Sequence, residues 1–169
     1  FNKAGSPAPR CAFAHVTVNG KNLGVYSHVE SVRDPLLKRE FGNADGTLFE
    51  GSVVDFFDAW DQSFELKTGP DEPGRIKINQ LIDALEDDDI DLNEIWGIVD
   101  EESFYRFWAV EGLLSFWDGY SGNRNNFFIY LNPTTDRIHF MPWGADCMFE
   151  KYSQLGEDPK SPRAVRLQG

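Results

Sequence analysis

Apolar and polar positions alternate in two β-rich runs near the start of the chain, CAFAHVTV and KNLGVYSHVE, which flank Asn19-Gly20. Asn-Gly favours the type I′ turn, whose twist matches that of the strands in a β-hairpin. The pattern therefore predicts a hairpin over residues 11–30. Apolar side chains fall on both faces of the first strand, Phe13 on one and Val16 on the other, so we expect at least one face to be buried.

Further along the chain, apolar residues recur at steps of three and four, which is the spacing of a buried helical face. This spacing predicts an amphipathic helix over residues 75–90 and a longer helix over residues 101–117 that follows Asp100 as its N-cap. A short helix, PLLKREF, is predicted between Asp34 as N-cap and Gly42 as stop signal. The apolar stripe of the longer helix consists of Phe107, Val110, Leu114 and Trp117.

Four short β-rich runs complete the pattern. GTLFEG and SFELKTG predict two strands within an irregular segment. FFIYL and RIHFM, joined by NPTTD, predict a second hairpin that ends near Trp143. Because these strands and helices follow no regular βα alternation, they indicate the α+β class.

Composition adds limits to this picture. The length of 169 residues suits a single domain, and 41% hydrophobic residues supply enough apolar material for a core. The formal net charge of −12 argues against duplex nucleic acid and against an anionic membrane surface as partners. No apolar run approaches the roughly 20 residues of a membrane span. Cys11 and Cys147 are too few for a disulfide framework, and pairing and free thiols both stay open.

The acid surplus is uneven along the chain. The stretch from Asp83 to Glu102, both included, contains ten acids and no base. Within this stretch DDDIDLN, residues 87–93, has closely spaced acids like those of a calcium loop, but it lacks the mid-loop Gly and the terminal Glu of an EF-hand. We therefore interpret the stretch as a solvated acidic loop between helices.

Polar side chains also collect directly after the predicted long helix, where a core would not place them. Asp118 is followed by Asn123 and Asn126, and Asp146 follows the second hairpin, whose short length lets its end return near its start. Carboxylate and amide oxygens are the ligands that Mg²⁺ and Mn²⁺ prefer. A protein-kinase site has the same order along the chain: an Asp, an Asn five residues later, and then a hairpin that ends in a second Asp.

Two other interpretations of these residues stay open. In the first, Asp118 and the Asn residues are turn formers, and Asp146 ends a strand. In the second, Asp118 and Asp146 are the carboxylate pair of a hydrolase, which predicts sugar binding without a metal.

Over roughly residues 10–150 the chain resembles the spore coat protein H (CotH) kinase-like family. The runs that carry the resemblance are VTVNGKNLGVYSHVE, DPLLKREFG, GTLFEG, FYRFWAVEGLLSFWDGYSGNRNNFFIYLNP and HFMPWGAD. The resemblance implies an atypical protein-kinase-like fold, with an N-lobe hairpin and a mainly helical C-lobe that contains a catalytic-loop hairpin. It also implies that residues 1–150 are a partial domain without the front of the N-lobe, followed by a polar tail or linker over residues 151–169.

The same resemblance implies a reaction, the transfer of the γ-phosphate of ATP to Ser hydroxyls of secreted or coat proteins. Asp118 would then be the catalytic Asp, and the ligands of Mg²⁺ or Mn²⁺ would be Asn123, Asp146 and Asn126. Glu30 would lie at the hinge as a nucleotide-binding residue, with an exposed strand-end acid as the alternative. The setting implied is secreted, spore coat or cell surface.

The chain departs from the family pattern in its site residues. Members usually read His-Asn where this chain has Asn125-Asn126, and Trp-Asp-x-Asp where it has Trp143-Gly144-Ala145-Asp146. Because one of two acids is absent, the alternative function is a catalytically impaired structural or assembly module of a spore coat or cell surface. The phosphate-binding Lys is expected before the first hairpin. Lys67 and Arg124 are the bases nearest the expected phosphates, with an ordinary surface role as the alternative.

Overall fold

The structure, a computed structural model, describes residues 1–149, and these form two antiparallel sheets and five α-helices. The strands are β1 Cys11–Val18, β2 Lys21–Val29, β3 Thr47–Gly51, β4 Glu65–Thr68, β5 Phe127–Asn132 and β6 Arg137–Pro142. The helices are α1 Asp34–Phe41, α2 Asp71–Glu86, α3 Leu92–Ile98, α4 Glu101–Leu113 and α5 Tyr120–Asn123. The α+β class is confirmed, whereas the kinase-like arrangement stays a prediction. The predicted tail over residues 151–169 lies outside the described residues.

The first hairpin forms as predicted, with β1 and β2 joined by Asn19-Gly20. Both turn residues have a positive φ, 51° at Asn19 and 76° at Gly20, as a type I′ turn requires. The expectation of a buried face is wrong, because every residue of both strands is exposed or half-exposed and Phe13 is 85% exposed. The reason is that β1 and β2 form a sheet of their own, and no other element of residues 1–149 packs closely on either of its faces.

The second sheet is the scaffold of the remaining described chain. Its strand order is β4-β3-β5-β6, with every neighbouring pair antiparallel, and it contains the predicted strands and the predicted second hairpin. On one face, α1 packs in a cluster with Phe128. On the other face, α2, α3 and α4 pack in a cluster with Phe127 and Phe140. Because both faces are covered, all six residues of β5 are buried.

Two helices differ from the prediction in the middle of the chain. α2 begins at Asp71 rather than at residue 75, because Pro73 is tolerated in a first turn, where its missing N–H costs nothing. It ends at Glu86 rather than at residue 90. α3 lies inside the stretch that was predicted to be a solvated loop, so that prediction is wrong for Leu92–Ile98. Asp91 caps α3 by accepting a hydrogen bond from the Asn93 N–H at 2.8 Å.

The long helix begins as predicted but ends early. The carboxylate of Asp100 caps α4 by accepting a hydrogen bond from the Ser103 N–H at 3.0 Å. The helix ends at Leu113 rather than at residue 117, since Ser115 takes a φ of 51° and Phe116 then enters the core. Phe107 and Val110 of the predicted stripe are buried, whereas Leu114 and Trp117 are half-buried. In α1, Asp34 is the first helical residue and not the N-cap, which is Arg33.

None of the helices within residues 1–149 combines the length and the apolar character that crossing a membrane requires.

Gly74 brings α2 into close contact with β3, and this contact gives a stability prediction. A Cβ on Gly74 would overlap the ring of Phe49 and would lie 2.8 Å from the Thr47 methyl group. We expect Gly74→Ala to lower the free energy of unfolding by about 1–3 kcal/mol through overpacking, although Ala favours a helix. The measurement is urea denaturation.

Gly97→Ala in α3 is the matched control, because its added Cβ would meet no side chain and no other element within 4 Å. It is expected to stabilise the protein by up to about 1 kcal/mol through helix propensity. Equal effects of the two substitutions would contradict the close packing of α2 on β3.

Candidate functional site

Asp118 lies in the connection between α4 and α5, and three asparagine side chains converge on it. The Nδ2 groups of Asn123 and Asn125 donate to its Oδ1 at 2.8 and 3.2 Å. Asn126 Nδ2 donates to its Oδ2 at 2.8 Å and to its main-chain oxygen at 2.9 Å. The structure thus brings together the predicted residues Asp118, Asn123 and Asn126, and it adds Asn125. We call these four residues the aspartate–asparagine cluster.

The backbone after α5 places these amides by two left-handed residues. Arg124 has a φ of 55° and Asn126 a φ of 52°, in a region where Asn is among the better tolerated residues. The N–H of Arg124 donates to Tyr120 O at 2.7 Å and so closes the end of α5. The N–H of Trp143 donates to Asn126 O at 2.8 Å, which ties the cluster to the segment that follows β6.

Asp146 lies on that same segment, but outside the cluster's hydrogen bonds. Its N–H donates to Gly144 O at 2.8 Å, and its side chain is exposed and forms no hydrogen bond or ion pair within residues 1–149. Gly144 has a φ of 53°, and a Cβ built on it would lie 2.6 Å from Asn126 Oδ1. The end of the hairpin therefore returns to its start, as predicted, with Gly144 as the residue against Asn126.

A buried glutamate of α4 contacts the chain directly after Asp118. Glu111 is 1% exposed, and its carboxylate accepts three hydrogen bonds: from Tyr120 N at 3.1 Å, from Ser121 N at 2.9 Å and from Ser121 Oγ at 2.6 Å. Burial raises the pKa of Glu111, and the hydrogen bonds from Ser121 and Tyr120 oppose that rise.

A second buried acid reaches the same place from the segment after β3. Asp55 Oδ1 accepts hydrogen bonds from the Tyr120 hydroxyl at 2.8 Å and from the Phe56 N–H at 2.9 Å. Burial raises the pKa of Asp55, and the bond from Tyr120 opposes that rise. Burial and the neighbouring Asp55 carboxylate also raise the pKa of Tyr120 well above its usual value, so its hydroxyl stays protonated and donates.

Glu30 and Arg124, the other predicted site residues, lie in separate surroundings. The Glu30 carboxylate accepts hydrogen bonds from Arg39 Nη2 at 2.6 Å and from Arg10 N at 3.0 Å, and it thereby joins the end of β2 to α1. Burial acts to raise the pKa of Glu30, but the bonds from Arg10 and Arg39 lower it overall. The Arg124 guanidinium lies 5.8 Å from the ring centroids of Phe57 and Trp60.

Lys67 is held by other side chains, since its Nζ lies 2.5 Å from a Glu50 oxygen and 2.7 Å from a Glu65 oxygen. These hydrogen bonds raise the pKa of Lys67.

A family model described as CotH kinase protein matches residues 1–167. The chain belongs to this family. It is 28% identical over 188 aligned positions to inner spore coat protein H of Bacillus subtilis (strain 168). That alignment covers 100% of this chain and 49% of the relative, so the chain spans about half the length of the curated relative that it matches.

Sequence reasoning did not identify Glu111 and Asp55 in this CotH-family chain. Glu111 sits directly beside Val110 in the apolar stripe of α4, and a charged residue in such a position was a usable signal. Asp55 interrupts the apolar run VVDFF in the same way. Neither signal indicates that both carboxylates meet at Tyr120, because that contact joins residues 65 positions apart in the chain.

The raised pKa of Asp55 predicts the sign of a pH dependence. An acid whose folded-state pKa is raised contributes stability that is fully present below its ordinary value, 3.8, and that is lost as the pH rises through the raised value. Asp55→Asn keeps an oxygen acceptor for Tyr120 and removes this titration. We therefore expect the variant to gain thermal stability relative to the unmodified protein as the pH rises from about 4 to 7.

The measurement is the melting temperature of both proteins across this pH range. Asp58→Asn, which removes an exposed carboxylate of the same segment, controls for the change of net charge. If the melting temperature of the unmodified protein rises relative to that of Asp55→Asn as the pH rises, the raised pKa of Asp55 is contradicted.

Proposed function

We propose that this CotH-family protein is a Mg²⁺- or Mn²⁺-dependent protein kinase that transfers the γ-phosphate of ATP to Ser hydroxyls of a coat or surface protein. The observation that carries the proposal is the aspartate–asparagine cluster, in which three amides hold one carboxylate at the start of a loop. Phosphoryl transfer asks for positioning and charge stabilisation rather than covalent chemistry, and a rigidly held carboxylate suits that demand.

The order of elements along the chain supports a kinase-like interpretation of the fold. In this proposal β1 and β2 are the last two strands of an N-lobe sheet, Glu30 lies at the hinge and α1 is the first helix of the C-lobe. α4 then leads to the catalytic loop, and the β5–β6 hairpin ends at Asp146. β1 and β2 form a two-stranded sheet separate from the second sheet, which fits strands that belong to a different lobe from α1 and the elements after it.

The oxygen atoms at this site suit a hard cation. Because the Nδ2 groups of Asn123 and Asn126 face Asp118, their Oδ1 atoms point away from that carboxylate and are available as ligands. Residues 1–149 contain no group of three or more acid, His or Cys side chains placed to hold a metal ion. The proposed site therefore depends on amide oxygens beside one or two carboxylates, which is a usual environment of Mg²⁺ when substrate phosphates complete its shell.

In this proposal Asn123 and Asp146 hold the ion, Asn126 adds an oxygen and Arg124 faces the nucleotide. When bound, the ion would neutralise charge on the phosphates. Asp118 orients the acceptor hydroxyl and takes its proton, while the amides keep the carboxylate in place. The formal net charge of −12 disfavours ATP without such a cation.

A second candidate function is a structural or assembly module of a spore coat or cell surface, without turnover. The observation that favours it is Gly144, which supplies no side chain where CotH-like sequences usually have an acid. The similarity to a protein named inner spore coat protein H supports a role in the spore coat under either proposal.

Removal of the proposed catalytic carboxylate tests the kinase proposal. Asp118→Asn is expected to lower phosphate transfer to a Ser-rich acceptor by about 100-fold or more, because a positioned base contributes about 10²–10⁴ in rate. The measurement is Mg²⁺-dependent transfer of label from ATP by the full-length protein. Asp88→Asn, an exposed acid remote in sequence, is the matched control. Absence of any transfer by the unmodified protein would favour the assembly module.

Asp146→Ala tests the metal role separately. The Asp146 side chain is exposed and forms no hydrogen bond or ion pair within the described residues, so its loss is expected to leave the melting temperature of the nucleotide-free protein unchanged. We expect the additional stabilisation by Mg²⁺ and ATP together to be lost in this variant. An undiminished stabilisation would exclude Asp146 as a ligand of the ion.

A further inference from the structure

The shortest α-helix of the described chain separates the two ends of the proposed catalytic loop. α5 has four residues, Tyr120–Asn123, and Asp118 lies just before it while Asn123 is its last residue. The Asn123–Asp118 hydrogen bond of 2.8 Å therefore spans the whole helix. So short a helix has little stability of its own, since its first turn is the costly one to form. An external contact must fix its position.

α5 also lacks a cap of its own. The chain caps α3 with Asp91 and α4 with Asp100, each directly before its helix. The residue before α5 is Gly119, which has no side chain to accept the first N–H groups. Glu111 accepts them instead, since Tyr120 N and Ser121 N both donate to its carboxylate.

Gly119 cannot be exchanged for an ordinary capping residue. A Cβ on Gly119 would lie 2.5 Å from Glu111 Oε1 and 2.8 Å from the ring of Phe116. The close approach of Glu111 thus requires glycine directly after Asp118, and it sets the course of the backbone there. A buried carboxylate is a costly way to cap one helical turn. This cost is explained if the positions of Asp118 and Asn123, on either side of the capped turn, matter for function.

We propose that Glu111 is a positioning residue, which acts as a remote N-cap of α5 and thereby sets the relative placement of Asp118 and Asn123. This inference rests on the proposed kinase function for its effect on rate. Its structural part, the capping of α5, stands independently. No hydrogen bond joins Glu111 to Asp118 or to the proposed ligands within residues 1–149, so it acts through the backbone N–H groups of Tyr120 and Ser121 and through the Ser121 hydroxyl.

Glu111→Gln tests the proposal, because the amide nitrogen of Gln is a donor that would face the donors of Ser121. We expect kcat to fall about 10–100-fold, because Asp118 and Asn123 lose their relative placement. The KM for ATP is expected to stay within about three-fold, because the substitution removes no contact with the nucleotide. Glu102→Gln, an exposed acid of the same helix, is the matched control and is expected to keep full activity. An unchanged kcat in folded Glu111→Gln would overturn the proposal.

A second variant and a second measurement test the proposal even if Glu111→Gln is too unstable to assay. Ser121→Ala removes only the hydroxyl donor and leaves the backbone donors in place, so it is expected to lower kcat several-fold with little effect on melting. Amide hydrogen exchange of residues 119–123 is expected to accelerate in Glu111→Gln but not in Glu102→Gln. If the unmodified protein transfers no phosphate, the kinase proposal fails, and exchange alone decides the capping role. Unchanged exchange would overturn that role.

Discussion

Two carboxylates buried without an ion pair within residues 1–149 constrain the arrangement of the proposed site. A carboxylate removed from water must be satisfied by hydrogen bonds, or it takes up a proton. Glu111 is satisfied by Tyr120 and Ser121, and Asp55 by Tyr120 and its own neighbour Phe56. The same tyrosine ring packs among Phe127 and Phe140. The aromatic core and the loop that begins at Asp118 are therefore arranged together, because a shift of Tyr120 would leave both acids short of donors.

Three separate parts of the fold hold this loop. α4 contributes Glu111. The segment after β3 contributes the Val54 N–H, which donates to Arg124 O at 2.9 Å, and the Ser52 hydroxyl, which donates to Asn125 Oδ1 at 3.3 Å. The segment after β6 contributes the Trp143 N–H bond to Asn126. Two of these parts directly follow strands of the buried sheet, and the third, α4, packs against that sheet. The loop is therefore irregular in conformation but anchored on rigid structure, as binding and catalytic loops commonly are.

The elements that sequence reasoning predicted well are those determined by local chemistry. Asn19-Gly20 makes its turn by its own φ preferences, and Asp100 caps the helix that immediately follows it. The errors come from long-range packing. α4 ends early because Phe116 enters the core, and α3 forms within an acidic stretch because Ile95 and Ile98 have a core to pack against.

The candidate site divides in the same way. The gathering of Asn123 and Asn126 around Asp118 could be predicted, because all three lie within nine residues of one loop. Glu111 and Asp55 were missed because their role depends on where α4 and the segment after β3 bring them. The expectation that β1 has at least one buried face is wrong, because apolar residues in a strand show that it has an apolar face but not that another element covers that face.

Gly144 determines what a cation would meet at this site. A side chain at position 144 would require Asn126 to move, because the added Cβ would lie 2.6 Å from Asn126 Oδ1. The Asn126 amide is held by Asp118, so a carboxylate at position 144 and the present aspartate–asparagine cluster compete for the same space. In this chain the oxygen nearest to that position is a neutral amide oxygen. A cation bound there would be neutralised less by the protein and more by the phosphate oxygens of a nucleotide. Metal and nucleotide binding are therefore strongly coupled if the protein is a kinase, whereas an assembly module without nucleotide has no reason to bind the metal at all.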